Sequence, residues 1–208
     1  MAAQRHRVQL ASKRAVDVVV AALALVILSP LMALIAAAIL VTMGPPVLFR
    51  HRRLGLAGRE FTLLKFRTMR GRPPGPGAAL DDERRITPLG RALRAVTLDE
   101  LPELVNVLRG DMSLVGPRPL LPEYRDLYTP QQWRRHEMPP GMAGPALAAG
   151  RNALSWDEKF AADVAYVDRW SLWLDVKVLV LSVWRVLRRE GVSAEGHATM
   201  PRFEGPRE

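Results

Sequence analysis

From Val18 to Met43 the chain reads VVVAALALVILSPLMALIAAAILVTM, 26 consecutive residues without a charge. As a straight helix this run would reach ~39 Å, more than the ~30 Å hydrocarbon core of a bilayer. It is too long for the apolar region of a signal peptide, and no small-residue cleavage site precedes polar sequence. The run predicts a membrane protein.

Its flanks constrain how it sits. Arg5, Arg7, Lys13 and Arg14 precede it, and Arg50, Arg52, Arg53, Arg59 and Lys65 follow it. A spanning helix cannot place both basic flanks on the cytoplasmic side, whereas a helix that enters and leaves by one face can. Ser29-Pro30 lies near the middle, where proline removes a backbone donor and kinks a helix. Either side of it, residues 18–28 and 31–43 would each reach only ~16–20 Å. The expectation is a re-entrant hairpin broken at Ser29 and Pro30; a kinked spanning helix is the alternative. The carbonyl freed by Pro30 needs cover, for which Ser29 Oγ is the nearest donor.

The remainder is basic. The 208 residues carry a formal net charge of +9, so an anionic partner is expected: nucleic acid, an anionic membrane face or a phosphorylated substrate. With no cysteine, disulfides, thiolate metal sites and a cysteine nucleophile are excluded, and the four scattered histidines have no zinc-ligand spacing.

Residues 1–17 read as a basic interfacial lead-in, 18–43 as the membrane segment, 44–190 as a cytosolic catalytic domain on the membrane face, and 191–208 as a polar tail or strap. Alternating apolar and basic residues around Gly55 to Gly58 predict a short β-hairpin. Residues 71–79, GRPPGPGAA, read as a loop. Helices are expected over 88–96, from Leu98 onward, over 156–168 and from Ser171 to Arg188. Along the last of these Trp170, Trp173, Lys177, Trp184 and Arg188 share a broad stripe, which fits a membrane interface or a core-packing helix equally. The fold class is therefore α+β and mostly helical: a re-entrant membrane helix hairpin, interfacial amphipathic helices and a small β-hairpin.

Within TLDELPELVNVLRGDMSLVGPRP, residues 97–119, two adjacent acids sit where a helix begins. Thr97-Leu98-Asp99-Glu100 has the form of a capping box, with Glu100 reaching back to the Thr97 amide. Leu101, Leu104, Val105 and Leu108 share an apolar face, with Asp99, Glu103 and Asn106 opposite. Yet Lys65, Arg67, Arg84, Arg85, Arg91, Arg94 and Arg118 crowd the pair in sequence, more cations than two carboxylates need. That excess suits a diphosphate with Mg²⁺, carboxylates holding the metal and arginines the phosphate oxygens. An aspartate can also serve as a nucleophile through an acyl-phosphate.

Four blocks, KFRTM (65–69), TPLGRALR (87–94), TLDELPELVNVLRGDMSLVGPRPLL (97–121) and GRNALSWDEKFAADVAYVDRWSLWLD (150–175), follow the Ser-Pro-broken helix in order. In these the chain resembles the bacterial sugar transferases, the monotopic polyprenyl-phosphate phosphoglycosyl transferases. It is similar in length to the small campylobacter-type enzyme of protein glycosylation. The resemblance covers roughly residues 12–204. It implies transfer of a sugar 1-phosphate from a UDP-sugar to undecaprenyl phosphate with release of UMP. Asp99 would be the nucleophile on the β-phosphorus, and Glu100 would help hold Mg²⁺, so that Asp99 and Glu100 are both catalytic and metal candidates. Lys65, Arg67, Arg94, Arg118 and Arg151 become candidates for substrate binding. The implied partners are inner-leaflet lipids of the bacterial cytoplasmic membrane, with a homodimer allowed and nucleic acid not expected. Pro145 and Leu147 stand where many members have tryptophan and glutamine, a departure that bears on sugar recognition.

Two other classes compete with an enzyme of this kind. A membrane-tethered basic scaffold for lipid or nucleic acid would show a solvated basic face without an acidic centre. A lipid diphosphate phosphatase would not need a UDP-sugar to release its product.

Overall fold

The computed structural model describes residues 2–71, 85–150, 154–188 and 202–205. It is mostly helical with two small sheets, the α+β class expected. Helix α1 runs Ala2–Met43 and contains Pro30. Strands β1 (Leu48–Leu54) and β2 (Glu60–Phe66) follow, then α2 (Pro88–Ala95), a 3-10 turn (Leu98–Glu100), α3 (Glu103–Arg109) and β3 (Ser113–Val115). Beyond a 3-10 segment (Pro122–Leu127) come α4 (Pro130–Trp133), β4 (Gly141–Ala143), α5 (Pro145–Ala149), α6 (Trp156–Arg169) and α7 (Leu172–Leu187).

The lead-in and the membrane segment lie on one continuous helix, with Ser29-Pro30 inside it rather than at a break. The reason is local. Pro30 cannot donate to the carbonyl four residues back, and Ser29 Oγ donates to that carbonyl, Val26 O, at 2.8 Å. Among the described residues α1 is the one helix long and apolar enough to cross a membrane, which associates the protein with lipid.

From Leu10 to Met43 one face of α1 packs on the rest of the chain. Near its start Lys13 Nζ meets Asp175 Oδ2 of α7 at 2.6 Å, buried on both sides. Arg14 donates to the carbonyls of Val107 and Leu108 at the end of α3, the first of them shared with the Gly110 amide, and Asp17 accepts from the Leu114 amide. Ala21, Ala24 and Leu28 then join Leu104, Val107 and Met112 in one apolar cluster. Ile35, Ile39 and Met43 join Phe66, Leu93 and Leu98 in the next. At its C-terminus Arg67 donates to Met43 O at 2.6 Å, to Gly44 O and to Pro45 O. The opposite face exposes Val19, Leu23, Val26, Ile27, Leu34 and Val41. That much exposed apolar surface on one stripe is a surface for lipid, not water.

Helix α7 repeats the pattern. Asp175, Val178 and Ser182 are buried, whereas Trp173, Val176, Val180, Val183 and Trp184 are exposed. Its outer face is thus apolar and tryptophan-bearing, the composition an interface selects.

β1 and β2 form the expected antiparallel hairpin, with Phe49 opposite Lys65, His51 opposite Leu63 and Arg53 opposite Phe61. β3 and β4 pair in parallel, Ser113 with Gly141 and Val115 with Ala143. The backbones there approach so closely that a Cβ on Gly141 would lie 2.0 Å from the Gly116 nitrogen, so only glycine fits. Of the tail, Phe203 is buried against Tyr124, Trp156 and Phe160, which straps the C-terminus to α6. The loop expected over 71–79 lies outside the described residues beyond Gly71, as does the tail over 191–201.

Candidate active site

The site forms where β2, the 3-10 turn, α3 and the Gly116–Pro119 turn converge. Thr87 caps α2 through its Oγ1, which accepts from the Gly90 amide at 3.0 Å, and Pro88 occupies the first turn. At the far end of α2, Thr97 adopts a left-handed backbone, φ 59° and ψ 19°. That conformation is uncommon for a β-branched residue. It reverses the chain, so Asp99 and Glu100 enter the interior on a separate tight turn. Both are 9% exposed.

The capping box expected at Thr97 is not formed. Thr97 makes no side-chain cap, and its Oγ1 is buried without a partner among the described residues. Glu100 instead turns to two cations. Its Oε1 accepts from Lys65 Nζ at 2.5 Å and from Arg118 Nη2 at 2.5 Å. Two charge-assisted bonds outweigh one neutral amide. Nor is the polar face of α3 solvated. Glu103 is 2% exposed and Asn106 fully buried. Lys65 Nζ also lies 3.2 Å from Glu103 Oε1.

Asn106 explains how the lysine is held. Its Oδ1 accepts from the Leu64 amide at 3.0 Å, and its Nδ2 donates to Thr62 O at 2.8 Å and to Asp111 Oδ2 at 3.1 Å. One side chain therefore completes the open edge of β2 and locks α3 against the strand that carries Lys65. On the other side, Arg135 donates to the Arg118 carbonyl at 2.7 Å while pairing with Asp163 Oδ2 at 2.6 Å, buried on both sides. The Arg118 turn is thereby anchored to α6.

Not every predicted residue joins this cluster. Lys65, Asp99, Glu100 and Arg118 come together. Arg94 stays beside it, Nε donating to Thr68 Oγ1 at 3.0 Å, close enough for its charge to act on Asp99. Arg67 is turned away to the end of α1. Arg151 lies outside the described residues. Pro145, one of the two departures, opens α5 and is buried. Glu103, Asn106, Arg135 and Asp163 were not singled out as functional. Glu103 had a signal: it lies three residues after Glu100, and in a helix both would face Lys65.

The three carboxyls are driven apart in acidity. Burial pushes Asp99 above the usual aspartate range, and the Glu100 charge adds to it. Burial also opposes ionisation of Glu100, but Arg118 and then Lys65 hold it well below the carboxylate range. Glu103 is pushed up to about 7, by burial first and Glu100 second. Environments that split neighbouring carboxyls assign them different tasks. Among the described residues nothing donates to the Asp99 carboxylate, which leaves it open to a reacting atom.

These residues fit a Mg²⁺ carried by a diphosphate. Such an ion needs one or two carboxylates and takes its other ligands from phosphate and water. The Asp99 carboxylate and Glu100 Oε2 take no hydrogen bond from the described residues, and among these no group of three or more acids or histidines is placed to hold a metal by itself.

The family model described as bacterial sugar transferase matches residues 8–189. The chain belongs to the bacterial sugar transferase family. It is similar to the sugar transferase EpsL of Bacillus subtilis (strain 168), 49% identical over 193 residues, which cover 93% of this chain and 96% of the relative. It is 44% identical over 181 residues to the UDP-glucose:undecaprenyl-phosphate glucose-1-phosphate transferase of Caulobacter vibrioides, covering 82% of this chain and 68% of that one. With the exopolysaccharide production protein ExoY of Rhizobium meliloti it shares 36% identity over 197 residues, 86% and 87% of the two chains. The family match takes in α1 from residue 8 onward as well as the acid cluster, so the apolar helix is part of the sugar transferase unit itself.

Proposed function

We propose that this bacterial sugar transferase moves a sugar 1-phosphate from a UDP-sugar to undecaprenyl phosphate at the cytoplasmic face of the membrane. One observation carries the reading: Lys65 and Arg118 both close on Glu100, while the adjacent Asp99 carboxylate is buried without a donor among the described residues. A nucleophile must keep a lone pair free, and a partner held ionised beside cations can meet a diphosphate.

An Asp99 carboxylate oxygen attacks the β-phosphorus of the UDP-sugar. The bond from that phosphorus to the bridging oxygen breaks, and UMP leaves with the electron pair and the bridging oxygen. Asp99 is then an acyl phosphate bearing the sugar. An oxygen of undecaprenyl phosphate attacks the same phosphorus, the acyl–phosphate bond breaks, and the Asp99 carboxylate returns. Arg118 and Lys65 stabilise charge on the phosphoryl oxygens as each bond shifts. When bound, Mg²⁺ supplies further charge neutralisation at the diphosphate, held by Asp99 and Glu100.

The membrane seating follows from α1. Arg14 at one end and Met43 at the other are tied to the same polar domain. A helix that crossed the bilayer would carry one of those ends, with its domain contacts, to the far side. We therefore place both ends on the cytoplasmic side, with the exposed stripes of α1 and α7 in the inner leaflet. The lipid acceptor then presents its phosphate at the level of the acid cluster.

The decisive test is release of UMP from a panel of UDP-sugars by protein in nanodiscs, with and without undecaprenyl phosphate. Stoichiometric release without acceptor and turnover with it are expected. Phosphate release from undecaprenyl diphosphate with no dependence on any UDP-sugar would establish a phosphatase instead.

A further inference from the structure

We propose that Arg53, with His51 beside it, forms a phosphate-binding subsite adjoining the acid cluster. Strand alternation and the register Phe49–Lys65, His51–Leu63 and Arg53–Phe61 put His51, Arg53 and Lys65 on one face of the hairpin. The Leu54 amide next to Arg53 donates to Leu120 O at 2.9 Å, which joins the end of β1 to the extended segment that follows Arg118. Arg53 is therefore on the Lys65 face at the end of the hairpin nearest the Arg118 turn.

The three cations at this place differ in one respect. Lys65 is shared between Glu100 and Glu103, and Arg118 is bound to Glu100. Arg53 has no ion pair or hydrogen bond among the described residues, although its Nε is closed off from solvent. On the same face His51 Nδ1 is also buried and unpartnered. Burial first and the neighbouring Arg118 charge second pull the Arg53 guanidinium down to about 10, against the opposing charges of Glu103, Tyr124 and Glu100. A desolvated guanidinium beside another cation is costly unless an anion arrives. Arg53 Nε and His51 Nδ1, both without a partner among the described residues, lie on one hairpin face beside a half-exposed Arg118 and define a place for phosphate oxygens, which guanidinium binds in fork geometry. The phosphate comes from the donor diphosphate or from the acceptor lipid. That choice rests on the transferase reading; the subsite itself does not.

Its test is the variant Arg53→Met, which keeps length and removes charge. Protein in nanodiscs is unfolded thermally with and without inorganic pyrophosphate. Wild type should gain stability with pyrophosphate, and Arg53→Met should lose that gain while being as stable as wild type, or more so, without it. A variant that melts lower but keeps the gain would show Arg53 to be structural and overturn the proposal. In turnover, KM for one substrate should rise about ten- to hundredfold, the range of a lost charge-assisted bond. A rise for the UDP-sugar alone assigns the donor, and a rise for undecaprenyl phosphate alone assigns the acceptor. Both KM values unchanged would also overturn it. If wild type releases no UMP from any UDP-sugar yet the pyrophosphate difference persists, the transferase reading fails and the subsite stands.

Discussion

Ser29 Oγ donates at 2.8 Å to the carbonyl of Val26, the one that Pro30 leaves without its helical donor. Val26 is 73% exposed on the apolar stripe, so with that stripe in lipid, as proposed, its carbonyl has no water to turn to. Ser29→Ala should therefore cost about 1–3 kcal/mol, the cost of an unsatisfied buried acceptor. Adding Pro30→Leu restores a backbone donor and should recover most of the loss. Thermal unfolding in nanodiscs measures both, and equal stability of Ser29→Ala and wild type would remove the hydroxyl from the account.

Both ends of α1 are expected on the cytoplasmic side. In this cysteine-free chain, Ala3→Cys and Ala57→Cys can be labelled separately with an impermeant maleimide in intact spheroplasts. Both should be protected. Reaction of the cysteine at position 3 alone would mean a spanning helix.

Asp99→Asn should abolish turnover and leave folding and membrane attachment intact, because the carboxylate takes no structural hydrogen bond from the described residues. Wild type given a UDP-sugar without acceptor should add the mass of a phosphosugar to the peptide carrying Asp99. The first step needs the ionised form, so its rate should fall on acidification at a pH above the ordinary aspartate range. Appreciable turnover by Asp99→Asn ends the nucleophile assignment.

Glu103 sets a stability slope with pH. Its ordinary value is 4.5 and the folded value about 7. Below the first, folded and unfolded chains are both protonated, and the contribution is fully present. Between the two the unfolded chain ionises while the folded chain keeps its proton, so stability falls as pH rises. Glu103→Gln should flatten that slope in part, since Asp99 acts in the same direction at lower pH. Unfolding midpoints between about pH 4.5 and 8 decide it, and parallel curves for the two proteins would refute the assignment.

A charge-free run of 26 residues, basic flanks and a Ser-Pro pair were enough to place this chain at a membrane, because the bilayer's demands on length and charge act on local sequence. Alternation found the hairpin and helical periodicity found α2, α6 and α7, for the same reason: those signals are short-range. Of the adjacent acids and the basic residues around them, the fold brings Lys65, Asp99, Glu100 and Arg118 together. What local sequence did not determine was which cation meets which acid. The capping box at Thr97 was a sound local pattern, and it was overridden because Lys65, 35 positions away, and Arg118, 18 positions away, converge on Glu100. Arg67 and Lys65 are two residues apart in one motif, yet one closes α1 and the other enters the site. Pairings between distant segments depend on packing: Asn106 locking α3 to β2, and Arg135 with Asp163 holding the Arg118 turn. Only the tertiary structure brings those contacts together, since each is stabilised by burial that no short stretch of chain can provide by itself.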